Sequence, residues 1–240
     1  MDNTLYITGA GVSAASGIPT FRGEDGYWRI GSKNYTPMEM ATRHMYQNQP
    51  DQFLAWYYQR FATYRDHGPN EVHHWLADKN VITQNIDGLD GKAGNRDYIA
   101  IHGRLDQMTV FHEQGDVVQT ITTPWDDVNE EALVASLFNI FAIEKGAPQL
   151  YRSYKPYVLL FDEYYTDLYR ITEAQKRMLS ADKMIFIGTS FSVNITQMAL
   201  QIARSMSIPI EVVDPEPTHL LHDNVTYHKM TALEYVQRIG

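Results

Sequence analysis

The chain has 240 residues, 44% of them hydrophobic, with 4 Trp, 16 Tyr and 9 Phe, ample for a sizeable core in one large domain with or without an insert. A formal net charge of −9 disfavours nucleic acid as the principal partner, and the absence of cysteine excludes disulfides, thiolate zinc sites and cysteine nucleophiles together. No stretch approaches the roughly 18 apolar residues of a membrane span, and Met1-Asp2-Asn3-Thr4 leads straight into a strand-like run with no signal peptide, so a cytoplasmic enzyme is expected.

The first predicted strand, Leu5–Thr8, opens into Gly9-Ala10-Gly11-Val12-Ser13-Ala14. Glycines at 9 and 11 with a small residue at 14 match a glycine-rich dinucleotide turn, where backbone approaches a pyrophosphate and a following helix N-terminus favours its charge. A tight turn without a ligand would show the same spacing. The dehydrogenase continuation, a second strand ending in an acid about 20 residues on, is missing; Gly17-Ile18-Pro19-Thr20-Phe21-Arg22-Gly23 stands there instead. Next comes a largely helical region in which Gln52–Arg65 carries Phe53, Tyr57, Phe61 and Tyr64 at near-helical spacing. A helix is predicted at Glu71–Ala77. The strand Val81–Thr83 then runs into Gln84-Asn85-Ile86-Asp87, and the strand Tyr98–Ile101 into His102-Gly103.

Residues 104–156 mix short strands with one helix, Val128–Ile143, whose apolar stripe includes Leu133, Leu137 and Phe141. A strand at Tyr157–Phe161 and a helix at Thr166–Leu179 follow. The strand Met184–Ile187 leads into Gly188-Thr189-Ser190; a helix at Ile195–Met206 and a strand at Ile208–Val213, ending in Asp214, complete the pattern. Most of these strands are too uniformly apolar for a half-exposed sheet, and their alternation with helices predicts an α/β fold. That fold is a Rossmann-like parallel sheet with helices on both faces plus a smaller inserted lobe. The large lobe takes about 1–27, 68–103 and 157–240, and the small lobe about 28–67 and 104–156.

The run from Gly9 to Arg22, with Ser13, Ser16 and Gly17-Ile18-Pro19, resembles the NAD-binding signature of the sirtuin (Sir2) family. Thr83-Gln84-Asn85-Ile86-Asp87-Gly88 and Ile101-His102-Gly103 match two further family motifs in order. Phe161-Asp162-Glu163 resembles the family's substrate strand, and Gly188-Thr189-Ser190 its late phosphate/ribose turn. The resemblance implies an NAD-dependent protein-lysine deacylase, with NAD as cofactor and acylated lysine as substrate, releasing nicotinamide and O-acyl-ADP-ribose. It implies NAD contacts at Gly9, Ala10, Gly11, Ser13, Ser16, Thr20, Phe21, Arg22, Gln84, Asn85, Asp87, His102, Gly188, Thr189, Ser190 and Asp214. His102 would be the general base, a role suited to an imidazole whose ordinary pKa lies near the working pH. Asn85 and Gln84 would orient water and hydroxyls at the reacting ribose, Asp87 would hold the carboxamide, and Phe21 and Arg22 would cover the cofactor.

Tyr57-x-x-Arg60 resembles the motif of family members that prefer malonyl or succinyl lysine, and Thr20 fits that branch; a guanidinium and a phenol can together bind an acyl carboxylate. Against this stands an ordinary packing tyrosine beside a solvated arginine. Three departures from the family pattern are visible. The cysteine pairs that usually hold a zinc are absent between Arg104 and Pro156, whose one histidine is His112, so no metal is expected and packing of the Val128–Ile143 helix should hold the lobe. Asp162 replaces the common glycine of the substrate strand, and Ser192-Val193-Asn194 lacks the usual proline. These changes keep two alternatives open: an ADP-ribosyltransferase or NAD hydrolase using the same pocket, and a non-catalytic NAD or ADP-ribose sensor.

Overall fold

The computed structural model describes residues 3–20 and 35–239. In chain order it opens with β1 (Thr4–Thr8), α1 (Pro37–Met40), α2 (Arg43–Asn48), α3 (Pro50–Tyr64) and α4 (Glu71–Trp75). Then come β2 (Asn80–Thr83), α5 (Leu89–Lys92), β3 (Ile99–Ala100), β4 (Gly103–Val110), β5 (Thr120–Thr122) and α6 (Leu133–Ile140). The remainder is β6 (Tyr154–Val158), α7 (Ile171–Ser180), β7 (Lys183–Ile187), α8 (Asn194–Met206), β8 (Ile210–Val213), β9 (Val225–His228) and α9 (Ala232–Ile239). The chain divides into two compact units, one from 1–21, 67–101 and 170–240, the other from 22–66 and 102–169, each taken over its described residues.

The first unit holds a six-stranded sheet in the order β3-β2-β1-β7-β8-β9, with every neighbouring pair parallel. Val81, Ile185, Ile187 and Val213 form one buried cluster with Val72 and Leu76 around α4 and with Ala232, Tyr235 and Val236 of α9. Successive strand residues point to opposite faces, so the fully buried Met184 and Phe186 lie on the other side. A sheet buried on both faces explains the unbroken apolar runs that identified its strands. The edge strand β9 has no fully buried residue, and its polar sequence hid it from the sequence reading. Helix α9 was missed as well, although its start carries a signal: Thr231-Ala232-Leu233-Glu234 is a capping box, with Glu234 N donating to Thr231 Oγ1 (3.2 Å) and Thr231 N donating to Glu234 Oε2 (2.7 Å).

The second unit carries a three-stranded sheet, β5-β4-β6, antiparallel throughout. This corrects the strand expected at Tyr157–Phe161. The strand is Tyr154–Val158, it pairs with β4 rather than joining the parallel sheet, and residues 157–169 therefore belong to this unit instead of the larger one. Gly103 and Val158 face each other in that pairing, and Gly103, at φ 80°, would drive a Cβ to 2.0 Å from the Tyr157 carbonyl oxygen. Two other predicted helices are also shorter than expected. Val128–Ile143 contains only α6 as α-helix, after short 3₁₀ turns at Trp125–Asp127 and Glu130–Ala132. Thr166–Leu179 is broken at Arg170, which takes the left-handed conformation (φ 58°) ahead of α7.

Trp125, 1% exposed, is the anchor of residues 104–156. Its Nε1 donates to the Leu105 carbonyl (2.8 Å), and its ring packs against Phe61 and Tyr58 of α3 and against Phe141 after α6. Tyr58 also donates to Glu130 (2.7 Å). An indole buried with its N–H satisfied joins a large apolar area to a fixed orientation. The sequence reading placed this role on the α6 stripe; the ring of Trp125 shares it.

Candidate functional site

Numbering only the strands of the parallel sheet in chain order, the sheet reads 3-2-1-4-5-6, the order of dinucleotide-binding α/β proteins. The order reverses between β1 and β7, and ligands of such sheets bind beyond the strand ends at that point. The segments that follow these two strands begin with Gly9 and Gly188. Gly9 N donates to Ile187 O, Gly11 N to Gly188 O (both 3.0 Å), and Gly188 N to Val213 O (2.9 Å). A Cβ on Gly11 would sit 2.6 Å from the Gly188 Cα, and one on Gly188 would sit 2.5 Å from the Gly11 Cα. The glycines thus let two turns of the chain touch, a demand on backbone approach that precedes any ligand. The expected helix after Gly9 is replaced by two three-residue 3₁₀ turns, Ala10–Val12 and Ala14–Ser16, ended by Gly17 at φ 81°, so no long helix dipole stands there.

Ser13, 1% exposed, is the hub of a polar network at this point. Its Oγ donates to Asp87 Oδ2 (2.6 Å) and accepts from Asn85 Nδ2 (3.1 Å), which also donates to the Gly9 carbonyl (3.1 Å). Asp87 Oδ1 takes the Leu89 N–H (2.9 Å). His73, wholly buried, accepts the Asn70 N–H on Nδ1 (3.2 Å), which leaves its proton on Nε2, 3.5 Å from Ser13 Oγ. Burial pushes His73 down to about 4, so it is a neutral donor near pH 7. Asn70 in turn donates to Val12 O (2.8 Å) and to Ser16 Oγ (2.9 Å). Nearby, Gln84 and Thr189 bond side chain to side chain (3.1 Å and 3.2 Å), and Gln84 Nε2 reaches the Thr8 carbonyl at 3.0 Å.

Ser13, Ser16, Gln84, Asn85, Asp87, Gly188 and Thr189 are therefore gathered as the sequence expected. The reading missed His73 and Asn70; the signal was there, since Asn70 caps α4 through the Val72 N–H (2.8 Å) and so fixes His73 one turn on. It also missed Asp90, 1% exposed, whose carboxyl burial and then Asp87 push up to about 7. Asp214 lies at the end of β8, where its Oδ1 accepts the Glu216 N–H (2.9 Å), and Ser190 Oγ meets Ser192 Oγ (2.7 Å). Ala10 and Thr20 are half-buried, and Phe21 and Arg22 lie outside the described residues. A dinucleotide fits this set: a switch point closed by side-chain-free turns, flanked by hydroxyls, amides and one carboxylate.

In the second unit His102 Nε2 and the Tyr165 hydroxyl are 2.9 Å apart, with their rings stacked at 22°. The Leu159 N–H donates to the His102 carbonyl (2.9 Å). Phe161, Asp162 and Glu163 form a turn, not a strand, and two of them are spent on the fold. Asp162 accepts the N–H groups of Arg43 (2.6 Å) and His44 (3.0 Å), while Thr42 Oγ1 takes that of Met45 (3.0 Å); together they satisfy the first turn of α2. Glu163, its side chain 4% exposed, pairs with Arg43 (3.2 Å) and with the fully buried Lys155 (3.6 Å). The carboxylate that stands in place of the substrate strand's common glycine, Asp162, is thus a helix cap. Phe161 N donates to the Ala41 carbonyl (2.9 Å). Tyr57 and Arg60, both 1% exposed, are interior, and the Arg60 guanidinium lies 3.2 Å above the Trp56 ring with Nη1 on the Trp56 carbonyl (3.0 Å). Among the described residues no cluster of three or more His, Asp or Glu side chains could hold a metal.

A parallel sheet of this order with a polar switch point defines the class: an α/β protein built to hold a dinucleotide. The profile of the Sir2 family matches residues 9–195, and the chain belongs to that family. It is 32% identical over 242 residues to NAD-dependent protein deacylase 1 of Caldanaerobacter subterraneus subsp. tengcongensis, covering 98% of this chain and 91% of that protein. It is 34% identical over 198 residues to an NAD-dependent protein deacetylase of Sulfolobus acidocaldarius, covering 80% and 70%. Among solved structures, a Sir2 homologue–NAD complex superposes with a TM-score of 0.73 at 26% identity, over 98% of this chain and 86% of that one.

Proposed function

We propose that this chain is an NAD-dependent protein-lysine deacylase. The observation that carries the reading is the convergence of Ser13, Asn85 and Asp87 at the switch point of a Sir2-family chain. Both relatives described above are named for NAD-dependent deacylation or deacetylation of proteins, and they match most of this chain.

NAD would supply a ribose carbon that exchanges its bond to nicotinamide, the leaving group, for a bond to the acyl oxygen of the lysine. Ser13, Ser16, Gln84, Asn85, Asp87, Thr189 and Ser190 would hold it, with the turns at Gly9–Gly11 and Gly188 keeping side chains out of the way. Asp87 offers a carboxylate to an amide N–H, and Ser13 fixes that carboxylate by donating to one of its oxygens. Asn85 is oriented in turn by the Gly9 carbonyl and by Ser13, so its amide is preorganised rather than free to rotate. His102 would be the base for a ribose hydroxyl, the role the family resemblance implies for it. For acyl-chain choice, the Arg60 guanidinium, held over Trp56 at 3.2 Å and by the Trp56 carbonyl, would be the group that pairs with a terminal carboxylate.

Nicotinamide release from NAD, followed with and without acetyl- and succinyl-lysine peptides, tests the reading. Acyl-peptide-dependent release is expected, and His102→Ala should reduce it by about 100-fold or more. Release that ignores the peptide would instead mark an NAD hydrolase. Arg60→Met should lower succinyl turnover more than acetyl turnover; equal losses would remove the carboxylate role.

A further inference from the structure

His102 meets a second side chain that could act with it. Tyr165 stands six residues after Leu159, whose N–H holds the His102 carbonyl, and its hydroxyl reaches back to Nε2 at 2.9 Å. The turn between them is fixed at nearly every residue. Glu163 bonds the Leu160 N–H through Oε2 (3.1 Å) and the Leu160 carbonyl through its own N–H (3.0 Å), while its carboxylate is held by Arg43 and Lys155. Tyr164 bonds Gln114 through both its N–H and its hydroxyl (each 3.2 Å). Beyond Tyr165, Tyr157 stacks on Tyr169 at 8° and donates to the Leu168 carbonyl (2.7 Å). A side chain carried on so constrained a segment holds its position to within the tolerance that a catalytic contact needs.

From this geometry we propose that Tyr165 is a positioning residue for His102: its hydroxyl oxygen accepts the Nε2–H of the imidazole, fixing the ring plane and keeping the imidazole proton on Nε2, so that Nδ1 is the nitrogen that takes up a proton. A neutral imidazole carries one proton and one lone pair, and a base must keep that lone pair for its substrate, so Nε2 is the donor of the 2.9 Å contact and the phenol oxygen its acceptor. The stacked ring holds the plane, and the hydroxyl selects the tautomer. The role explains why the segment around Asp162 and Glu163 is spent on internal contacts: those residues anchor the turn that presents Tyr165. The proposal rests on His102 being the base.

The test uses the full-length chain and the variants Tyr165→Phe, Tyr165→Leu and His102→Ala. Long-range proton–nitrogen NMR of the ligand-free chain should show His102 with its proton on Nε2, and Tyr165→Phe should move that tautomer balance while leaving the fold unchanged. With an acetyl-lysine peptide and NAD, Tyr165→Phe should lower kcat about threefold to tenfold, with KM for both substrates within about twofold. Tyr165→Leu, which removes the ring as well, should lower kcat further. An Nδ1–H tautomer in the wild type, an unmoved spectrum in Tyr165→Phe, or a kcat unchanged by it would overturn the assignment. Full activity in His102→Ala would instead overturn the role of His102 as base, an outcome separate from the NMR result on the pair.

Discussion

The two units spend their motif residues in opposite ways. In the first, Ser13, Asn85 and Asp87 turn toward one another at the end of the parallel sheet and form a polar network at its switch point. In the second, Asp162 and Glu163 turn inward, one capping α2 and the other neutralising Lys155. The difference teaches that a recognisable motif can keep its place in the chain while its side chains change employment. Residues that would meet a cofactor are constrained by its chemistry; residues of a segment proposed to face a peptide could serve through the backbone, which frees their side chains for the fold.

Four substitutions break or sharpen that contrast. The largest effect is expected at Glu163→Gln, which strands Lys155 and should cost about 3–5 kcal/mol in urea denaturation; a loss under 1 kcal/mol would show that Glu163 is not held as described. Next is the pH response of the buried polar network. Since burial holds His73 at about 4, below its ordinary 6.5, the unfolded chain protonates first as the pH drops. Its stabilising contribution, about 3 kcal/mol, is complete above about pH 6.5 and is lost as pH falls through about 4. His73→Gln should therefore flatten the stability profile over that window.

Asp90 runs the other way. Its folded-state value of about 7 lies above the ordinary carboxylate range, so the wild type loses stability as pH rises from about 4 through 7. The advantage of Asp90→Asn over wild type should grow over that interval, as measured by denaturation at pH 4, 6 and 8. A smaller effect is expected at the cap: Asp162→Gly should cost about 1 kcal/mol by loosening α2, with NAD binding unchanged. If Asp162→Gly weakens NAD binding while stability holds, the division of labour between the units is wrong.

Much of the first unit was legible because burial on both faces writes itself into a strand as an unbroken apolar run. Leu5–Thr8, Val81–Thr83 and Met184–Ile187 were found for that reason, within a residue of their observed bounds. The strand at Val225–His228 was not, because an edge needs little apolar surface. In the second unit the sequence located the right segments but misjudged their geometry. Tyr157–Phe161 reads as a buried strand on composition alone; only its pairing with β4 shows that it ends at Val158 and then turns.

By itself, then, the sequence determined the glycine turn, the Gln84–Asp87 and His102 segments and the alternation that makes an α/β sheet, because each depends on residue type and local period. The tertiary structure decided which polar atoms meet. That Ser13 lies between Asn85, Asp87 and His73, across 60 to 74 residues of chain, follows from strand order. That Gly11 is required by Gly188 follows from the adjacency of β1 and β7. That Tyr165 reaches His102 follows from the antiparallel pairing of β4 with β6, which no local pattern encodes.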